Sequence, residues 1–84
     1  MLVIYIYDLK IKGKKAYNNL KRNFYYSMNK LKNKFKRRSK SVIIVEERDE
    51  KEIDKFFSQW QGNIELYKIR TEKIEQIYNI ETLS

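Results

Sequence analysis

MNKLKNKFKRRSKSVIIVEE, residues 28–47, decides the fold, because its first half can be the end of a helix or the start of a strand. Upstream of it Tyr17, Leu20, Phe24 and Met28 recur at intervals of three and four, and Leu31 and Phe35 continue the series. At about 100° per residue the six fall on one narrow stripe, so the pattern predicts an amphipathic helix from Lys14 to about Phe35, roughly 30 Å long. Its opposite face would gather Lys15, Arg22, Tyr26, Asn29, Asn33, Lys36 and Arg37. A competing reading breaks the helix near Arg22 and makes NFYYSMN (23–29) a strand. The uninterrupted stripe favours the long helix. SVIIVEE (41–47), apolar and β-branched, then reads as a strand.

Outward from this stretch, MLVIYIYD (1–8) reads as a strand buried on both faces, and Gly13 as a flexible joint before the first helix. Asp49, with Glu52 three residues on, matches a helix N-cap. Ile53, Phe56, Phe57 and Trp60 supply the apolar face of a short helix ending near Gly62, with Trp60 expected in the core. NIELYKIR (63–70) is a further strand. The tail, 71–84, is open: Ile74, Ile77 and Tyr78 fit one helical face, and a strand at 73–78 fits as well. The order is β-α-β-α-β, an α+β, open-faced sandwich with two helices on one face of a sheet of three to four strands. The competing reading gives β-α-β-β-α-β, the ferredoxin-like split unit.

The chain has 84 residues, no cysteine and no histidine. That length supports one domain, 1–84, with an economical core. Disulfides and thiol chemistry are excluded, and the commonest general base and metal ligand is missing. The longest apolar run, LVIYIY at 2–7, is far short of the roughly 20 residues a membrane span needs, so the expectation is a cytoplasmic protein without membrane contact.

The net charge is +8, but thirteen of the nineteen Lys and Arg and none of the eleven acids lie between Leu9 and Val45. Acids at the start of the second helix and bases at the end of the first suit the helix dipoles. Capping does not account for a basic span of that length. A polyanion partner does, and the expected phosphate contacts are Lys14, Lys15, Arg22, Lys30, Lys32, Lys34, Lys36, Arg37, Arg38 and Lys40, with Lys21 beside Arg22. The alternative is a solvated basic face. Tyr25 and Tyr26 lie off the apolar stripe, on the flank and back of the helix, where both are placed to stack on exposed bases beside the arginines; otherwise these rings lie under neighbouring lysines.

Asp8 closes the first strand, where functional groups of open α/β sheets gather, and a carboxylate there can hold a divalent metal for phosphodiester cleavage. Its nearest companions by sequence pattern are Glu46 and Glu47, at the end of another strand. A turn-capping aspartate is the plainer reading, so no catalytic residue, metal site or cofactor is expected, Mg²⁺ entering only with the nuclease alternative.

An apolar first strand ending in Tyr7-Asp8, a following helix rich in Lys and Arg, and a strand opening Lys40-Ser41-Val42-Ile43 resemble the small CRISPR-associated adaptation protein, the second of the core pair, and its ferredoxin-like relatives. The likeness covers about half the chain. Ile43 stands where that family usually has an aromatic residue. The resemblance implies a short, basic, dimeric protein that handles DNA or RNA, with Asp8 at the position linked in some members to metal-dependent nuclease activity. Three functional classes therefore follow: a nucleic-acid-binding module, a nuclease using Asp8, and an interaction protein of viral or mobile-element type whose basic face docks an acidic protein. A three-stranded sheet leaves two open edges, so the tail, with Ile74, Ile77, Tyr78 and Ile80, is expected to cover an edge or to join a homodimer.

Overall fold

The computed structural model describes residues 1–78. Strand β1 (Leu2–Leu9) leads to helix α1 (Lys14–Asn29), a 3₁₀ turn (Lys32–Lys34), strand β2 (Lys36–Ser39), strand β3 (Val42–Glu46), a second 3₁₀ turn (Glu47–Asp49), helix α2 (Glu50–Ser58) and strand β4 (Ile64–Thr71). The sheet order is β2-β3-β1-β4, antiparallel throughout. This is the ferredoxin-like arrangement, with β-α-β-β-α-β order, and both helices pack on one face.

The long helix is corrected. Helix α1 stops at Asn29, and the additional strand, β2, is formed by Lys36–Ser39 and not by the segment 23–29, which is helical. The reason is charge. In a helix Lys30 and Lys34, Lys32 and Lys36, and Lys34 and Arg38 would be like-charged i,i+4 pairs, each unfavourable by about 0.2–0.5 kcal/mol. The chain instead forms a 3₁₀ turn at Lys32–Lys34 and a strand at Lys36–Ser39, an arrangement in which Lys34 meets Asp49 and Glu52. Leu31 and Phe35 still pack against the core, but from the connection rather than from the helix. The stripe is real; its helix is shorter than the stripe.

Strand β2 is short, charged and wholly exposed, as suits a sheet edge that must not recruit another strand. The Lys40-Ser41 turn joins it to β3 and is held on three sides. The Ser41 amide donates to Ser39 Oγ (3.2 Å), the Tyr7 amide to the Ser41 carbonyl (2.9 Å), and the Tyr25 hydroxyl to the Lys40 carbonyl (2.9 Å).

Strand β1 is buried on one face, not two. Val3, Tyr5, Tyr7 and Leu9 lie under the helices, whereas Leu2 and Ile4 are half-buried and Ile6 is exposed on the open face. An antiparallel sheet roofed by helices on one side requires only that alternation. The apolar run in β1 therefore leaves aliphatic residues on the open side.

The core is aromatic. Phe24 of α1 sits within 5.2–6.2 Å, centroid to centroid, of Tyr7, Tyr25, Phe56, Phe57 and Trp60. Tyr5 stacks on Phe57 at 5.2 Å. Trp60 packs against this core as expected, although its buried indole N–H has no partner among the described residues. Gly13, at φ 92°, turns the chain into α1 in a conformation that favours glycine.

Residues 73–78 adopt neither the helix nor the strand considered for the tail. Ile74 lies half-buried beside Leu2, Phe35 and Ile44, lining with them a groove on the open face. The expectation for Ile80 falls outside the described residues. No helix among those residues is long and apolar enough to cross a membrane.

Candidate nucleic-acid interface

Helix α1 lies over the β2 side of the sheet and α2 over the β4 side. Tyr25 of α1 meets Arg37 of β2, and Glu50 and Asp54 of α2 meet Lys68 and Arg70 of β4. The two flanks differ in charge for that reason.

On the β4 flank Glu50 and Asp54 of α2 answer Lys68 and Arg70 of β4. Glu50, buried at the start of α2, accepts from Lys68 Nζ (2.7 Å) and Arg70 Nη1 (2.7 Å). Asp54 accepts from Lys68 Nζ (2.8 Å) and from the Tyr5 hydroxyl (2.7 Å). The hydrogen bond from Lys68, helped by Arg70 and opposed by partial burial, holds the Glu50 carboxyl below its ordinary range. Burial works against Asp54, but the hydrogen bonds from Lys68 and Tyr5 outweigh it and lower that carboxyl too. Burial likewise opposes the Lys68 ammonium and is outweighed by the two carboxylates, which raise it. Burial raises the Tyr5 and Tyr7 hydroxyls far above the usual phenol range. The network sets two carboxylates against two cations and is formally neutral.

The β2 flank is different. Between the outer side of α1 and β2 runs a shallow groove of about 850 Å³, floored by Met28 and Phe35 and lined by Lys21, Arg22, Lys32, Arg37, Asn18, Asn29, Tyr25 and Tyr26. Four cations line it and, among the described residues, no acid does. Helix geometry makes the row: Asn18, Arg22 and Tyr26 follow at i+4, as do Lys21, Tyr25 and Asn29, so two parallel ridges face the groove. The Arg37 guanidinium lies over the Tyr25 ring at 4.8 Å, with its Nε donating to the Ser39 carbonyl at 3.1 Å. The Lys30 ammonium lies over the Tyr26 ring at 4.8 Å.

The expected contact residues thus divide. Arg22, Tyr26, Lys32 and Arg37 come together in this groove, with Lys30 on its aromatic rim. Lys14 and Lys15 occupy the exposed first turn of α1, where no acid offsets them. Lys34 is paired with Asp49 (3.8 Å) and Glu52 (3.5 Å), so Asp49, at the N-cap of α2, binds a lysine rather than capping with its side chain. Lys36 and Arg38 fall on the other side of β2 from Arg37. With Lys32, Lys34 and Arg48 they line the open-face groove, which also holds Glu46, Asp49 and Glu75. Lys40 is in the β2–β3 turn. The expectation of one basic helix face is corrected: the run 30–40 is a turn and an edge strand, and strand alternation sends its cations to two faces. Asn18 was not singled out by sequence pattern, although its place four residues before Arg22 could have found it.

Asp8 is exposed and pairs with Lys10 at 3.1 Å, and hydrogen bonding to Asp8 raises the Lys10 ammonium. The cross-strand neighbour of Asp8 is Glu65. Glu46 pairs with Leu2, at the other end of β1. The six residue steps from Leu2 to Asp8 put about 20 Å between Asp8 and the carboxylates considered as its companions. Among the described residues no group of three or more acids, histidines or cysteines is placed to hold a metal ion.

Compared with known proteins, the chain matches no family model, no curated protein and no solved structure.

Proposed function

We propose that this protein binds nucleic acid through the α1–β2 groove. The supporting observation is the lining of that groove: four cations from helix α1, the 3₁₀ turn and strand β2, two amides and two tyrosines, without an acid among the described residues, on a molecule whose other flank sets two carboxylates against two cations. Such a surface attracts a phosphate backbone by counterion release. The likeness of Tyr7-Asp8 and Ser41-Val42 to the CRISPR-associated adaptation protein belongs to this proposal and supports it only through a shared fold.

The test is affinity against salt for labelled DNA and RNA. On a log-log plot the slope should be linear and steep. Replacing Lys21, Arg22, Lys32 and Arg37 with alanine should flatten it by about 0.7 per lost contact on a single strand and 0.9 on a duplex. A folded quadruple variant with the parent slope would remove the groove from the interface. Retention of an acidic protein, with no salt-dependent nucleic-acid binding, would favour the interaction-protein reading instead.

A further inference from the structure

The two tyrosines of the groove have different tasks, and the difference bears on which form of nucleic acid fits. Tyr25 is committed: its hydroxyl donates to the Lys40 carbonyl at 2.9 Å, its edge packs against Phe24, and its outer face is covered by Arg37. It fastens α1 to the β2–β3 turn and holds the guanidinium in the groove. Tyr26 is 69 % exposed, makes no hydrogen bond from its hydroxyl among the described residues, and has the Lys30 ammonium over its face at 4.8 Å. It stands four residues after Arg22 on the same ridge, beside Asn29.

Resting on the proposed nucleic-acid reading, we infer that Tyr26 is a stacking platform for an unpaired base, so that the groove takes single-stranded nucleic acid. In a duplex the faces of the bases are stacked on one another and a side-on tyrosine finds only sugar and phosphate. In a single strand a base face is free, and aromatic stacking beside cations is the usual means of holding it. The base takes the place of the Lys30 ammonium on the ring, and the released ammonium is left beside the flanking phosphate. Arg22 and Lys21 lie one helical turn back along α1 for the next phosphate. Asn18 and Asn29 each present a donor and an acceptor to the edge of an unstacked base.

The experiment compares a labelled single-stranded 12-mer, as DNA and as RNA, with the corresponding duplex at one salt concentration. The proteins are the parent chain, Tyr26→Ala, Tyr26→Phe, and Arg22→Ala as the charge control. The parent should bind the single strand more tightly than the duplex. Tyr26→Ala should lose roughly 5- to 150-fold on the single strand, the range of stacking losses on alanine substitution, and little on the duplex. Tyr26→Phe, which keeps the ring, should retain parent affinity. Two results overturn the inference while leaving the proposed function standing: a duplex bound as tightly as the single strand, or a Tyr26→Ala protein that matches the parent while Arg22→Ala weakens both. Absence of salt-dependent binding to either form would overturn the proposed function itself.

Discussion

Glu50, Asp54, Lys68 and Tyr5 form a charged constellation anchored on the buried Glu50 and Tyr5, and they are where this protein should be sensitive to pH. Both carboxyls are lowered in the folded state, so the stability they contribute is present above their unfolded values, near 4.5 and 3.8, and is lost as pH falls through the lower folded values. The Lys68 ammonium is raised, so its contribution is present below about 10.5 and is lost as pH climbs through its folded value. Denaturant midpoints should therefore be flat between about pH 5 and 10 and should decline on both sides. In Asp54→Asn the acid decline should be shallower, from a lower plateau. A parent midpoint unchanged from pH 6 to pH 3 would contradict this. None of these residues stands out in the sequence as a cluster, because Tyr5, Glu50, Asp54 and Lys68 lie on three different elements and only the β1–β4 register, with Tyr5 opposite Lys68, brings them together.

At the scale of elements, the apolar patterns were legible and the ends set by charge were not. Strands β1, β3 and β4 and helix α2 lie within a residue or a few of where apolar runs and turn signals put them. Strand β2 was hidden, because KRRS has no apolar residue and only its hairpin partner makes it a strand. The candidate site suffered for the same reason: the right residue types were visible, but whether Arg37 joins Arg22 depends on the strand that was missed. Strand β4 raises a different point. Its outer edge is unpaired over eight residues in unbroken register with β1, and Leu66, Tyr67 and Ile69 on it are exposed. Such an edge invites a partner strand. A second copy of the chain should supply it, with the segment after Thr71 contributing. Sedimentation should give a dimer for the full chain and a monomer for a version ending at Thr71. A monomeric full chain at tens of micromolar, or a truncated chain that still dimerises, would count against it.

Over the whole molecule the charge segregation of the sequence becomes a difference between two flanks. The α2–β4 flank sets Glu50 and Asp54 against Lys68 and Arg70 in short ion pairs, and the α1–β2 groove holds its cations beside two tyrosines with no acid in its lining among the described residues. Not all the basic run contributes to that flank, since Lys34 is tied to α2 and Lys36 and Arg38 face the open side of the sheet. The central claim is therefore one of place. Backbone amide shifts of the labelled protein, followed during titration with a single-stranded 12-mer, test it most directly. The perturbed amides should cluster at residues 18–32 and at Arg37, with the amides of α2 and β4 unmoved. Perturbations centred on β4 or on the open-face groove around Lys36, Arg38 and Ile44, with α1 silent, would contradict it.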